Sequence, residues 1–309
     1  MRVKILGSAA GGAFPQWNCG CANCSSLRAG RFQGKARTQT QVAISHDGSK
    51  WFLLGASPDL RGQIEATPDL HPRDGSRRSP IAGVVLASAD LDHILGLLLL
   101  RELQPLRVYG AASILRILRE GNTMFRMLNH APQQTVWSEI VPGKQFSLRS
   151  TENTDLNLRC EALTLGTRYP AYVTENRAGT LTPSEALLGL ILESKSGGRL
   201  AFMPAVSRLD DAVLEQLEST EVLLFDGTFW SDDELPRIQG CGQTAREMGH
   251  MPISSADGSL KRLAALRRPR KIFLHINNTN PILDESGPEH RAVRDAGWEV
   301  AEDGWEFEL

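Results

Sequence analysis

The sequence lacks a net charge of either sign that would attract a polyanion. Its 34 Lys and Arg residues nearly balance its 36 Asp and Glu residues, and the formal net charge is −2. Binding to nucleic acid would therefore need a local basic patch. The one short basic run, at residues 267–271, is interpreted as a solvated helix end that leads into a strand. We therefore expect no nucleic-acid partner.

The sequence also lacks an uninterrupted apolar run. Its most apolar window of membrane-spanning length, residues 81–100, contains Asp90, Asp92 and His93, which would be costly in hydrocarbon. The apolar part of the N-terminal segment is broken after a few residues, which is too short for the core of a signal peptide. We expect no membrane partner and a cytoplasmic protein.

Cysteine is scarce, and its distribution excludes a disulfide framework. Of five cysteines, Cys19, Cys21 and Cys24 lie close together, while Cys160 and Cys241 are distant. Such an odd, clustered set is typical of a metal site in a reducing compartment. Three thiolates in a Gly-containing loop can surround one Zn²⁺ and leave a fourth position for a distant residue. We predict a structural zinc; the alternative is three free, reactive thiols.

There is no internal repeat and no low-complexity segment, and the composition is that of a globular protein. Short apolar runs bounded by turn residues predict strands, namely at residues 3–7, 41–45, 51–55, 81–87, 106–109, 156–165, 189–193, 200–203, 221–225 and 271–276. Apolar residues at helical spacing predict helices, namely at residues 91–103, 112–119, 210–217 and 259–267. This mixture predicts an α/β fold of sheets covered by helices. We find no convincing linker and expect one domain over residues 1–309.

Chemically active side chains stand where three predicted strands end. Asp90, Asp92 and His93 follow the first strand, Asp226 follows the second, and His275 lies at the end of the third. Ligand-binding and catalytic groups of α/β folds gather at the carboxyl ends of strands. If the three ends converge, these five residues form one pocket with ligands for a divalent metal of intermediate hardness.

Each of these residues also has a purely structural interpretation. Asp90 could be the N-cap of the helix that follows it, and Asp92 could complement the dipole of that helix. His93 and His275 could be hydrogen-bonded structural residues. Asp226, followed by glycine, could mark a turn.

The same residues resemble a known signature. Residues 88–93, Ser-x-Asp-x-Asp-His, are similar to the His-x-His-x-Asp-His motif of the metallo-β-lactamase superfamily with its first two histidines replaced. Asp226 falls where that superfamily has its metal-bridging aspartate, and His275 where it has its last histidine ligand. The Cys-x-Cys-x-x-Cys loop at residues 19–24 resembles the zinc loop of a phosphodiesterase branch of the superfamily.

More closely, the whole chain, residues 1–309, resembles a family of coenzyme PQQ (pyrroloquinoline quinone) synthesis proteins. Five segments carry the resemblance, at residues 4–24, 88–93, 226–230, 249–254 and 275–281. The resemblance implies an αββα sandwich of two mixed β-sheets flanked by helices.

The resemblance also implies that one of two metal sites has been lost. In dinuclear hydrolases of the superfamily, one metal is bound by the first two motif histidines and by a third from a later loop. Here those motif positions hold Ser88 and Asp90, and the later segment, residues 163–169, has no histidine. The second site keeps all four ligands, Asp92, His93, Asp226 and His275. A mononuclear centre of this kind resembles that of non-haem Fe(II) oxygenases.

The activity implied by the family is hydroxylation of the tyrosine ring of a Glu-Tyr dipeptide, derived from the PQQ precursor peptide, with O₂. In that picture His93 and His275 bind Fe²⁺, and Asp92 and Asp226 supply carboxylates. The chain would then be an oxidoreductase with a structural Zn²⁺ and an active-site Fe²⁺.

Three further roles follow from the resemblance. Asp90 would be a further ligand or would orient a histidine. His250 stands at the position where related hydrolases keep a histidine beside the substrate. It would exchange a proton with the substrate or orient it, unless it is a structural loop residue. Asn278 stands where the phosphodiesterases have a further histidine, so the fourth zinc ligand is Asn278, another residue or water.

Other readings stay open at this point. Arg37, Arg101 or Arg168 could hold the carboxylates of the substrate. A metal-dependent hydrolase is disfavoured by the missing histidines, although fold alone does not determine chemistry. A carrier or escort of PQQ, serving its export to the periplasm, would not need a complete ligand set. A homo-oligomer is possible.

Overall fold

A computed structural model of the chain describes residues 1–73, 75, 78–131, 134–240 and 242–309, so Cys241 lies outside the described residues. The chain divides into two compact units. Unit 1 consists of Met1–Leu6, Gln41–Arg199 and Gly304–Leu309, and unit 2 of Gly7–Thr40 and Leu200–Asp303. The expectation of one domain stays a prediction.

The described residues form strands β1 (Arg2–Gly7), β2 (Gln41–Ser45), β3 (Trp51–Leu54), β4 (Ile81–Val85), β5 (Leu106–Ala111), β6 (Thr135–Ile140), β7 (Gln145–Arg149), β8 (Asp155–Gly166), β9 (Leu187–Ser194), β10 (Arg199–Met203), β11 (Val222–Asp226), β12 (Arg270–Leu274), β13 (Trp298–Val300) and β14 (Glu306–Glu308). Their α-helices are α1 (Ala22–Arg28), α2 (Leu60–Glu65), α3 (Leu91–Ile94), α4 (Ala112–Arg116), α5 (Glu175–Ala178), α6 (Asp211–Glu218), α7 (Glu234–Gln239), α8 (Ser259–Arg262) and α9 (Pro288–Asp295). Short 3₁₀ helices span Pro68–Leu70, Leu95–Leu100, Thr123–Asn129, Pro183–Glu185 and Pro281–Leu283, and a π-helical turn spans Ile117–Gly121.

Unit 1 contains a mixed sheet in the order β14-β1-β2-β3-β4-β5-β6. Strand β1 pairs antiparallel with β14, as does β2 with β3, whereas β3 to β6 are parallel. All residues of β3 and β4 are buried. Parallel strands covered on both faces read as continuous apolar runs, which is the pattern that predicted these two strands.

Unit 1 also contains the antiparallel meander β7-β8-β9. Cys160 of β8 lies between Phe146 and Leu192 of the neighbouring strands and is fully buried. Burial raises the pKa of its thiol far above the usual range. Cys160 is therefore an inert core residue.

In unit 2, strands β10, β11, β12 and β13 are parallel. The register pairs Asp226, the last residue of β11, with Leu274, the last residue of β12. His275 is therefore the next residue after the partner of Asp226. Because parallel strands end at the same edge of a sheet, this register brings two of the predicted metal ligands together.

The predicted helix over residues 91–103 is wrong in its length and type. Helix α3 covers one turn, and a 3₁₀ helix follows at Leu95–Leu100. The Gly96 N–H donates to the Ala56 carbonyl (2.8 Å), and the His93 carbonyl accepts from the Ala56 N–H (2.7 Å). These tertiary hydrogen bonds replace the intrahelical ones, so the α-helix cannot continue.

The other predicted helices are confirmed in position. The helix expected at residues 210–217 is α6, and Asp210 caps it by accepting a hydrogen bond from the Val213 N–H (3.0 Å). The helix expected at residues 112–119 begins as α4 and continues as the π-helical turn Ile117–Gly121. The helix expected at residues 259–267 begins as expected but ends early, as α8.

Two arginines of the basic run at residues 267–271 are paired with acidic side chains. Arg268 lies 3.6 Å from Glu221, and Arg270 makes a bidentate pair with Glu299 at 2.6 and 2.8 Å. Such neutralisation agrees with a solvated surface segment. Within the described residues, no helix has both the length and the apolar character needed to cross a bilayer.

Candidate metal centres

Three cysteine thiols of unit 2 meet at the start of α1. The sulfur atoms of Cys19, Cys21 and Cys24 lie within 4.8 Å of one another. The side-chain amide of Asn278 lies 3.1, 3.6 and 3.4 Å from these three sulfurs. An asparagine amide carries both a nitrogen and an oxygen, and rotation of the group exchanges them. Asn278 thus stands where the sequence predicts a distant fourth ligand.

The electrostatics of the thiols fit a cation. Burial and the thiols of Cys19 and Cys24 raise the pKa of Cys21 to about 11. Burial also opposes ionisation of Cys19, but hydrogen bonds from the Cys21 N–H and from Asn278 lower the pKa of Cys19. Neighbouring thiolates repel one another, and a divalent cation removes this obstacle to their ionisation. The donor set therefore suits tetrahedral Zn²⁺.

The loop that carries Asn278, residues 275–281 (the 275–281 loop), is buried and densely hydrogen-bonded. Asn23 donates from Nδ2 to the carbonyls of Asn278 and Asn280, both at 3.1 Å. Asn280 donates from Nδ2 to the Gly227 carbonyl at 2.9 Å. Buried amides are stable only when paired in this way, so the loop has little freedom to move.

A buried acid, Glu234, supports the same loop. Its Oε1 accepts from the Thr279 hydroxyl (2.5 Å) and its Oε2 from the Trp230 N–H (2.7 Å). Thr279 in turn accepts from Asn277 Nδ2 (2.5 Å). Burial raises the pKa of Glu234 to about 7. Glu234 was not among the residues predicted from the sequence, because an acid at a helix start is usually a surface residue.

A second cluster in unit 2 consists of Asp226, His250 and His275, whose donor atoms lie within 4.8 Å of one another. His250 Nδ1 lies 3.0 Å from Asp226 Oδ2. The rings of His250 and His275 are stacked, with centroids 5.5 Å apart and planes inclined by 23°. One carboxylate and two imidazoles suit a divalent metal of intermediate hardness.

Asp226 is fully buried and held as an anion. Its Oδ1 accepts from the N–H (3.0 Å) and the hydroxyl (2.7 Å) of Thr228. Its Oδ2 accepts from the Val206 N–H (2.9 Å) and from His250 Nδ1. Burial would raise the pKa of Asp226, but the charge and hydrogen bond of His250 outweigh burial and lower it. A metal bound to Asp226 would replace one of these four hydrogen bonds.

His275 is buried and has an uncommon backbone conformation, with φ of +57°. The residues on either side of His275 are held by backbone hydrogen bonds. The Leu274 carbonyl accepts from the Gly227 N–H (2.7 Å), and the Ile276 N–H donates to the Ser8 carbonyl (3.0 Å). Such conformations persist only where the surroundings enforce them, and they concentrate at functional sites.

In unit 1, the motif residues surround the start of α3. Asp90 is the N-cap residue, but its side chain makes no cap hydrogen bond; instead its Oδ2 accepts from the Ser88 hydroxyl at 2.7 Å. Asp92 Oδ2 lies 3.9 Å from His93 Nε2, and His93 is buried. Asp90 therefore occupies the N-cap position considered above, but its side chain does not cap the helix.

Gly55, at the end of β3, shapes the surroundings of His93. Its φ is +77°, and a Cβ atom at this position would lie 3.2 Å from His93 Nδ1. The next residue, Ala56, donates its N–H to the His93 carbonyl. Glycine is therefore favoured here by the backbone conformation, and a Cβ atom would also be in tight contact with His93.

The structure thus brings Asp226, His250 and His275 together in unit 2, and Asp90 and Asp92 next to Ser88 and His93 in unit 1. That Asp92, His93, Asp226 and His275 share one metal stays a prediction. Thr228 was not among the residues predicted from the sequence, although Gly227-Thr228 directly follows the buried strand β11.

Among the arginines considered for substrate carboxylates, Arg37 is a structural residue. It is buried and donates to the Ser8 hydroxyl (3.0 Å) and to the Ala301 carbonyl. Arg101 is exposed and donates to the Leu98 carbonyl (3.0 Å), and Arg168 is also exposed. Because its guanidinium is buried and hydrogen-bonded inside the protein, Arg37 cannot reach a ligand in solution.

The fold and the clustered ligands define a class of protein. A family model described as a β-lactamase superfamily domain matches residues 50–276. A crystal structure of a diphosphatase from the PhnP family shares the fold, with a TM-score of 0.65 and 21% identity over 100% of this chain and 98% of that one. The fold is the expected αββα sandwich of two mixed sheets flanked by helices.

Two closer relatives specify the family. Coenzyme PQQ synthesis protein B of Methylococcus capsulatus is 40% identical over 315 residues, covering 100% of both chains. The crystal structure of Zn²⁺-bound PqqB from Methylobacterium extorquens is 37% identical, with a TM-score of 0.90 and full coverage of both chains. The chain belongs to the coenzyme PQQ synthesis protein B (PqqB) family.

Replacing Asn278 tests its place at the cysteine cluster. We expect Asn278→Ala to weaken zinc binding by roughly tenfold or more, because even residues that contact metal ligands indirectly matter this much. Asn278→His should retain or strengthen binding, since it completes a Cys₃His set. The measurement is competition with a chromophoric chelator, with Cys24→Ser as the control that loses zinc. Wild-type affinity in Asn278→Ala would assign the fourth position to another residue or to water.

Burial of Glu234 makes stability depend on pH. The pKa of about 7 in the folded chain exceeds the ordinary value of 4.5, so the folded state binds the additional proton between these values. The free energy of unfolding should therefore fall by about 3 kcal/mol as pH rises from 4.5 through 7. Glu234→Gln, which resembles the protonated acid, should remove this loss in urea titrations at pH 5 and pH 8. Equal pH dependence in both proteins would contradict the assignment.

Adding a methyl group at Gly55 should disturb His93. We expect Gly55→Ala to destabilise the chain by about 1–2 kcal/mol, the cost of a left-handed conformation for a residue with a Cβ atom. We also expect it to weaken the binding of Fe²⁺, used as a probe of divalent-metal binding by His93. Gly62→Ala is the matched control, since a Cβ there would meet nothing within 4 Å. Thermal unfolding and Fe²⁺ titration measure the two effects. Unchanged iron affinity in Gly55→Ala would show that Gly55 does not position His93.

Proposed function

We propose that this PqqB-family chain is an Fe(II)-dependent oxygenase of PQQ synthesis, which hydroxylates the tyrosine ring of a Glu-Tyr dipeptide derived from the precursor peptide. The observation that carries the proposal is the Ser88–Asp90 pair. Where dinuclear hydrolases have two histidines, this chain has a hydroxyl that donates to a carboxylate at 2.7 Å. This pair offers no imidazole to a first metal. The second ligand set is complete in the sequence: Asp92, His93, Asp226 and His275.

In this proposal, His93 and His275 bind Fe²⁺, with carboxylates from Asp92 and Asp226. Two imidazoles with carboxylate resemble the ligand set of non-haem Fe(II) oxygenases. When bound, the iron supplies the activation of O₂. One oxygen atom of O₂ enters the ring and the other leaves as water, and a two-electron donor balances the reaction.

His250 is assigned to proton exchange with the phenol of the substrate. Its Nδ1 is engaged by Asp226 and by Thr228, at 3.0 and 3.1 Å. Its ring makes an edge-to-face contact with Phe229, with centroids 5.8 Å apart. Because Nδ1 is engaged and the ring is held, Nε2 is the nitrogen that can accept or return a proton.

We assign Zn²⁺ to the cysteine cluster, with Cys19, Cys21, Cys24 and Asn278 as its ligands. The relative from Methylobacterium extorquens is Zn²⁺-bound, and the thiol geometry of this chain suits that ion. A closed site with four protein ligands has a structural role. Iron and zinc can compete for the imidazole site, because the affinities of divalent metals for such ligands overlap.

The decisive experiment is anaerobic loading with Fe²⁺, followed by O₂, a Glu-Tyr dipeptide and ascorbate as the reductant. Mass spectrometry should find a product heavier by one oxygen atom, labelled when ¹⁸O₂ is used. His93→Ala and His275→Ala should form no product. His130→Ala, at an exposed histidine outside the ligand groups, should react as the wild type does.

Absence of product from iron-loaded protein would overturn the oxygenase. PQQ binding that persists in His275→Ala would then favour a carrier, which needs no metal ligands. Cleavage of a phosphodiester or amide substrate by protein loaded with two metal equivalents would favour a hydrolase.

A further inference from the structure

Thr228 is a buried hydroxyl that contacts all three members of the Asp226–His250–His275 cluster. It is 2% exposed and follows β11. Its N–H donates to Asp226 (3.0 Å), and its carbonyl accepts from the Asn277 N–H (3.1 Å). The backbone N–H and carbonyl of Thr228 are therefore both hydrogen-bonded. Only the direction in which its hydroxyl group donates is left to be determined.

Four atoms surround the Thr228 oxygen at hydrogen-bond distance. Two of them can only accept: Asp226 Oδ1 at 2.7 Å and the His275 carbonyl at 2.9 Å. The other two are ring nitrogens: His275 Nδ1 at 2.9 Å and His250 Nδ1 at 3.1 Å. A hydroxyl donates one proton and offers two lone pairs, so it can pair with three of these four neighbours: one of the two acceptors and both ring nitrogens.

The count determines the direction of each hydrogen bond. The ionised Asp226 is the stronger acceptor and takes the hydroxyl proton. The lone pairs of Thr228 then face two imidazole nitrogens, which can form a hydrogen bond only if they carry protons. His250 Nδ1 also faces Asp226 Oδ2 at 3.0 Å, which again requires a proton on Nδ1.

We infer that Thr228 is a positioning residue that holds both His250 and His275 in the tautomer with the proton on Nδ1. This tautomer leaves the lone pair of Nε2 for a metal on His275 and for a substrate proton on His250. The use of Nε2 by a metal and by the substrate rests on the proposed function, whereas the assignment of the tautomer does not. Imidazole in water favours the opposite tautomer, so the protein must supply this preference.

Two substitutions separate the hydroxyl from the packing at this position. Thr228→Ser keeps the hydroxyl, whereas Thr228→Val keeps the shape and removes it. Thr228→Ala is a second variant without a hydroxyl, for use if valine at a site of buried charge prevents folding. Thermal unfolding of each variant shows that the chain still folds.

The test is long-range ¹H–¹⁵N spectroscopy of histidine side chains, recorded without added metal. His250→Gln and His275→Gln identify the two signals. In the wild type and in Thr228→Ser, both rings should show the proton on Nδ1. In Thr228→Val, His275 should shift toward the Nε2-protonated form, and Fe²⁺ affinity should fall by roughly 10–100-fold.

Unchanged tautomers in both hydroxyl-free variants would overturn the inference, whatever the activity. A tautomer shift with weakened Fe²⁺ binding supports both the inference and the role of His275 as a ligand. A tautomer shift with unaltered Fe²⁺ affinity supports the role of Thr228 and contradicts the assignment of His275 in the proposed function.

Discussion

Burial of the polar 275–281 loop is the constraint on which both candidate metal clusters of unit 2 depend. Only two residues separate His275 from Asn278, so one short segment contributes to the imidazole cluster and to the cysteine cluster. Polar groups this deeply buried are tolerated only when they are paired. Asn23, Glu234 and neighbouring backbone groups supply the partners.

This arrangement connects the cysteine cluster and the imidazole cluster through the backbone of one loop. Zinc bound at the cysteines and Asn278 would hold the middle of the loop, and the β11–β12 register holds its start. His275 lies between these two anchors in a conformation that a free chain would avoid. A rigid support of this kind keeps metal ligands in place better than a loop on the surface would.

The Asp226–His250–His275 cluster shows how electrostatics and hydrogen bonding reinforce each other away from water. A fully buried carboxylate would ordinarily favour its neutral form. Here two backbone amides, one hydroxyl and one imidazole donate to its two oxygens and stabilise the charge. The carboxylate in turn orients His250, which was identified from the sequence only by resemblance.

Several elements could be predicted because their causes are local. The spacing of Cys19, Cys21 and Cys24 indicates a metal loop without any knowledge of the fold. The buried parallel strands are visible as apolar runs, and polar residues at their ends indicate a site. The failure at α3 has a tertiary cause, since Ala56 takes two hydrogen bonds that helical propensity cannot anticipate.

The sequence by itself determined the family, the αββα fold class, the cysteine loop and which ligand-type side chains the chain possesses. Only the tertiary structure decided which of them are neighbours, that Arg37 is a structural residue, and that Thr228, Glu234 and Gly55 lie beside the candidate ligands or the loop that carries them. The reason is physical: ligand chemistry belongs to a side chain, whereas distance, burial and hydrogen-bond partners arise only when separate segments pack together.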